Sequence, residues 1–220
     1  AMQSLSQVVA LNNEGVSLLL QKRHKAAIQR FIGSLSLVKQ LLAGEQNSEY
    51  DDHQPPHFIH DSTYAIPGLQ DISCFIYANA ITLSPQAISN CPISESIANE
   101  VSSVILLNVA LAYHHAGLTE KAAYISKAES MYETANQLIA INERRQGTGL
   151  LIKAACINNL AQIRHGRGDY SYSKEGFKYL GSLFASFGEV LQSSKCEQEV
   201  YRGMLMNALL VTAPNMAAAA

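Results

Sequence analysis

The chain of 220 residues has no tryptophan, and charged side chains make up only 15% of it. Sixteen Lys and Arg against eighteen Asp and Glu leave a net charge of −2. A protein that lives on phosphate contacts carries a basic excess, so nucleic acid is not an expected partner. No apolar run approaches the ~18 residues of a membrane-spanning helix, and a membrane partner is not expected. No basic and apolar leader follows Met2, which argues against a secretory signal. Cys74, Cys91, Cys156 and Cys196 lack the short spacing of a zinc knuckle or redox motif. They read as free thiols in a reducing setting, cytoplasmic or nuclear. Apolar residues are plentiful at 48%, enough for a core and too many for a disordered chain.

The apolar residues recur mostly at helical spacing. Val8, Leu11, Gly15 and Leu18 form one stripe, and Ala27, Ile28, Phe31, Leu35, Val38 and Leu42 form the next. The polar break Gln21-Lys22-Arg23-His24 joins them into an antiparallel hairpin over 5–43, ended by Gly44. The period returns at Ser94, a candidate cap, and gives a second hairpin over 94–145. Its first helix is expected to close at Gly117, with Thr119 capping the second. Gly147-Thr148-Gly149 reads as a linker to a third hairpin over 150–193, which turns at Gly166-Arg167-Gly168-Asp169. A capping helix over 197–211 and a frayed tail over 214–220 complete the chain. The expected fold is therefore all-α, a single domain of stacked antiparallel hairpins with about seven helices.

Residues 45–92 break this pattern. Pro55-Pro56 and Pro67-Gly68 exclude a regular helix there. The apolar run from Cys74 to Leu83 reads as a strand or extended segment. Such a segment in a helical chain must be buried somewhere. It either lies in the chain's own groove or seals the gap between the first two hairpins.

The hairpins align on one another without gaps. A shift of 51 puts Asn108 on Asn159, Ala110 on Ala161, His114 on His165 and Gly117 on Gly168. A shift of 95 puts Asn13 on Asn108, Gly15 on Ala110 and Ala27 on Ala122. A small residue at one place on each first helix lets the partner helix approach closely.

With Gly15, Leu18, Ala27 and Phe31 at the eighth, eleventh, twentieth and twenty-fourth pattern positions, the chain resembles the tetratricopeptide-repeat (TPR) family. Ala110, Tyr113 and Ala122 fit three of these positions, with Ser126 in place of the aromatic. Ala161, Ser173 and Phe177 fit again, with Arg164 at the large position. Separations of 95 and 51 residues replace the usual ~34. The resemblance implies that the first helices line a concave surface, with Asn13, Asn108 and Asn159 near it. An amide can donate to and accept from the backbone of an extended peptide. Alternatively, each Asn bonds a neighbouring helix and only holds the stack. The resemblance also implies that a carboxylate clamp would need Lys or Arg on these helices, where the chain has Asn12, Val16, Asn108, Ala155 and Asn159.

Asp51, Asp52, His53, His57, His60 and Asp61 crowd into eleven residues and offer ligands for zinc or a similar ion. Two prolines among them favour an exposed loop, so no metal and no cofactor is expected. His114 and His165, near helix ends, read as partners of the helix C-terminus. No phosphate loop, nucleophile elbow or His-Glu-x-x-His is present. The expected function is a non-enzymatic adaptor or scaffold binding a peptide or protein surface, with Asn13, Asn108, Tyr113, Asn159 and Arg164 in contact. A structural subunit or homodimer is the alternative. A metal-dependent enzyme built on residues 51–61 is the third reading.

Overall fold

A computed structural model describes residues 2–44, 60–69, 75–85, 94–140, 148–191 and 195–212. Among them the chain is all-α, with seven helices and one small two-stranded sheet. The helices are α1 (Met2–Leu20), α2 (His24–Gly44), α3 (Glu95–Thr119), α4 (Ala123–Ala140), α5 (Thr148–Gly166), α6 (Tyr170–Leu191) and α7 (Lys195–Thr212). The strands are β1 (His60–Ala65) and β2 (Asn79–Leu83).

Each helix packs on the next along the chain, from α1 through to α7. In addition α3 touches α1, α5 touches α3, and α7 touches α5. The helices therefore form two rows, with α1, α3, α5 and α7 in one and α2, α4 and α6 in the other. Tight turns set this up. After α1, Arg23 N–H bonds Leu18 C=O at 2.9 Å and Lys22 N–H bonds Leu19 C=O at 2.9 Å. After α5, Asp169 N–H bonds Arg164 C=O at 2.9 Å and Gly168 N–H bonds His165 C=O at 3.0 Å. Both are paired closures that satisfy the last helical carbonyls. Each needs one left-handed residue, Lys22 at φ 59° and Gly168 at φ 82°.

The second hairpin differs from the sequence-based expectation. Ser94 does cap α3, its hydroxyl accepting from Ile97 N–H at 3.3 Å. The helix then runs past Gly117 to Thr119. Thr119 caps nothing downstream; its hydroxyl donates back to His115 C=O at 2.8 Å. Thr148 and Gly149 belong to α5.

Helix α3 is apolar all round and is the one described helix long and apolar enough to cross a membrane. Its most apolar window is 78% buried, as a helix surrounded by neighbours should be. Close packing explains two glycines. A Cβ on Gly15 would lie 2.5 Å from the Phe31 ring, and one on Gly117 would overlap Ile125.

The strands pair antiparallel, with Thr63 opposite Ile81, Tyr64 opposite Ala80 and Ala65 opposite Asn79. A bulge between His60 and Thr63 is filled by Thr82, whose hydroxyl accepts from Ser62 N–H at 3.1 Å and donates to Ser62 C=O at 3.0 Å. Pro67-Gly68 turns the chain, with Gly68 at φ 86° and Leu69 N–H on Ile66 C=O. Tyr77, Ile81 and Leu83 are among the most completely buried large side chains, beside Phe31, Tyr132 and Phe177. The core thus includes an extended segment that belongs to no helix.

Candidate functional site

Residues 75–83 run extended across α1, α3, α5 and α7, and an asparagine from each helix grips them. On α7, Asn207 Oδ1 accepts from Phe75 N–H at 3.1 Å and its Nδ2 donates to Phe75 C=O at 2.6 Å. On α5, Asn159 takes Tyr77 N–H at 2.8 Å and donates to Tyr77 C=O at 2.9 Å. On α3, Asn108 does the same to Ile81 at 2.9 and 2.8 Å. On α1, Asn13 holds Leu83 at 2.9 and 3.0 Å. An amide side chain presents a donor and an acceptor as a neighbouring strand would, so the row replaces one edge of a sheet. The other edge is paired with β1, and Ala78 C=O accepts from Ile66 N–H at 2.8 Å.

Spacing makes this possible. Successive odd-numbered residues of a strand point their backbone groups to one edge. From Phe75 to Leu83 an extended chain covers about 26 Å. That spans three helix-to-helix steps of about 9 Å each.

Two further amides complete the site. Asn12 donates to Ile81 C=O and Asn13 Oδ1, both at 3.1 Å, and accepts from Asn108 at 3.0 Å. Asn158 donates to Phe75 C=O at 3.1 Å and Asn159 Oδ1 at 3.0 Å, and accepts from Asn207 at 2.8 Å. Asn12, Asn108, Asn158 and Asn159 have no solvent exposure. A buried polar network of this kind is tolerable only when its groups are satisfied.

Behind Asn159 the network continues through neutral groups. Asn159 Nδ2 donates to the Tyr132 hydroxyl at 2.9 Å, which meets His114 Nδ1 at 3.2 Å. The geometry suits a neutral His114 tautomer with Nδ1 unprotonated, which takes the hydroxyl proton while the hydroxyl oxygen accepts from Asn159. Burial pushes His114 down to about 4, with His115 adding to the effect. Burial likewise raises Tyr132 well above its ordinary range, keeping its donor proton. His114 is therefore a core hydrogen-bond acceptor, contrary to the helix-terminus role expected from sequence. His165 does lie in the last turn of α5, edge-on to the Tyr170 ring at 5.1 Å.

A second histidine cluster ties α2 to α3. His24 Nε2 faces His115 Nδ1 at 3.0 Å, and His24 Nδ1 pairs with Glu120 Oε1. The pKa of His115 is lowered by burial first, then by His24 and Lys22, with Glu120 opposing.

Two residues expected at the groove lie elsewhere. The Tyr113 ring packs against Tyr124 at 5.8 Å and under Lys127 at 5.5 Å, between α3 and α4. Arg164 pairs with Glu133 at 2.6 Å and Glu129 at 3.4 Å, and stacks over Tyr172. It lines a separate open cleft of about 460 Å³ with Lys153, Tyr172 and Tyr179. Each faces the second-row helices rather than the groove. His53, His57 and the side chain of His60 lie outside the described residues. Among the described residues no group of three or more His, Cys, Asp or Glu side chains is placed to hold a metal ion. Cys156 is a free, buried thiol whose pKa burial raises.

Sequence reasoning missed Asn207 and Asn158 and did not place Asn12 on the strand. Signals existed: Asn12-Asn13 and Asn158-Asn159 are adjacent pairs, and Leu205-Met206-Asn207-Ala208 resembles Leu106-Leu107-Asn108-Val109. No family model, curated protein or solved structure matches this chain.

Proposed function

We propose that the protein is a non-enzymatic, TPR-like interaction module that binds an extended polypeptide along the row formed by α1, α3, α5 and α7. The observation that carries this reading is the bidentate hold of Asn13, Asn108, Asn159 and Asn207 on the backbone groups of Leu83, Ile81, Tyr77 and Phe75. Such contacts are the same for any sequence able to lie extended, and they suit recognition of a chain rather than chemistry on it. The like closures after α1 and α5, at matching pattern positions Leu18 and Arg164, support the family resemblance. So does the contact of Gly15 with Phe31, the small and aromatic positions of one pattern unit.

In the resting molecule the row holds residues 75–83 of the same chain, so a partner's segment takes their place. The test uses a fluorescent peptide of residues 75–84 titrated into a full-length Phe75→Ala/Tyr77→Ala variant, followed by anisotropy. Saturable binding is expected, and it should vanish when Asn108→Ala and Asn159→Ala are added. Absence of any peptide binding by a variant with native helical circular dichroism would remove the proposal.

A second reading, self-association, is favoured by the outer face of α7, where Met206 and Leu209 are both more than half exposed. A solution mass of two chains that reverts to one on Met206→Lys/Leu209→Lys would support it.

A further inference from the structure

The groove around residues 75–83 is built from side-chain slots as well as backbone rungs. At one end Phe75 lies directly on α7, where a Cβ at Gly203 would overlap its ring. Only glycine leaves that space. Two residues on, Tyr77 is wholly enclosed. Ala80 is also fully buried in the rank that pairs with β1, so this position admits only a small side chain. Ile81 and Leu83 fill the far end with no exposure. The amides lining the row carry no charge, and a carboxylate or ammonium carried into these positions would lose its water without a counter-ion.

Resting on the function proposed above, we infer that this groove selects side chains. Its partner is an extended, uncharged segment with an aromatic residue at the Gly203 slot and a second aromatic two residues later. A small residue follows three positions on, then aliphatic residues at the next position and two beyond it. The chain's own strand is the resident copy of that pattern. It belongs to no helix, so leaving the groove unwinds none, and all four helices of the row keep their neighbours. A tethered strand competes as though present at about millimolar concentration, so the partner must hold the row more tightly than the resident strand does.

The experiment extends the anisotropy titration. The receptor is the full-length Phe75→Ala/Tyr77→Ala variant, with the milder Phe75→Ala single variant as a second receptor if the double variant loses helical signal. The native-sequence peptide is expected to bind at least about tenfold more tightly than its Phe75→Ala version. An Ile81→Lys peptide should show no binding. Adding Gly203→Leu to the receptor should erase the preference between Phe and Ala at the first position while leaving the Ile81→Lys discrimination. A scrambled peptide of the same composition binding within about twofold of the native one would overturn selectivity yet leave backbone binding standing. No binding by any peptide would remove the function itself. Light scattering covers the remaining occupant: a wild-type dimer that disappears on Tyr77→Ala would put a second copy's strand in the groove and overturn the partner named here.

Discussion

Asn159 uses all the hydrogen-bonding capacity of its side chain. Its two amide protons go to Tyr77 C=O and the Tyr132 hydroxyl, and its oxygen accepts from Tyr77 N–H and Asn158. Truncation leaves two buried backbone groups without partners, which costs far more than a typical exposed bond is worth. Asn159→Ala should lower unfolding free energy by about 2–4 kcal/mol, read from the urea midpoint at unchanged slope. Asn13→Ala, at a partly exposed rung, should cost less than half as much. His114 adds a pH dependence of definite sign. The fold takes the neutral ring, so stability is full above the ordinary value of 6.5 and falls as pH drops toward about 4. The total loss is about 3 kcal/mol, spread over that window. Across that window the buried ring stays neutral in the folded protein, and the loss arises because only the unfolded chain takes up the proton. Urea unfolding at pH 7 and pH 4.5 should show the loss in the wild type and much less of it in His114→Gln. Equal losses in both would assign the acid sensitivity to other groups.

At the scale of elements, the fit between neighbouring helices decides which residues are small. Gly15 has the Phe31 ring against it, and α1 and α2 cannot separate without opening the core. Gly15→Ala should cost about 1–3 kcal/mol and lower the calorimetric melting temperature by several degrees, an overpacking effect. Gly44→Ala, with nothing nearby to meet a Cβ, should change it little. The helices themselves were legible in the sequence because an apolar stripe every three or four residues can serve little else. Their number, seven among the described residues, matches the expectation, while α3 runs on to Thr119. The fourth rung was not legible for a physical reason. Alignment looked for a small residue two positions after each Asn, as in Gly15, Ala110 and Ala161. Position 209 is Leu, more than half exposed, because among the described residues no helix follows α7 to press against it. The constraint that marks the other three rungs is absent there. Asn158, buried beside Asn159, was hidden because its work is to brace a neighbour rather than to define a period.

Across the whole molecule, one extended segment, residues 75–83, touches all four first-row helices and thereby couples elements far apart in sequence. Phe75 meets Asn207, 132 residues away, and Leu83 meets Asn13, 70 residues away. Rungs at opposite ends share no direct contact, so additivity is the default expectation for them. Coupling through the strand predicts otherwise: a double-mutant cycle of Asn13→Ala with Asn207→Ala should give an interaction energy above about 0.5 kcal/mol in urea unfolding. Strict additivity would mean that the strand's ends are held independently. The strand's extended character could be read from its apolar run and flanking turns. Its destination could not, since a bond to backbone leaves no trace in the identity of the residue that makes it. The asparagines recorded one side of the contact and the strand recorded nothing.

Amide hydrogen exchange tests the asparagine row most directly. In the wild type, the Tyr77 and Ile81 amides should be protected to about the level of the α3 core. In Asn159→Ala, Tyr77 should exchange at least about tenfold faster while amides in the middle of α3 keep their protection. A Tyr77 amide that exchanges as slowly in the variant as in the wild type would contradict the account, because something other than Asn159 would then be holding the strand.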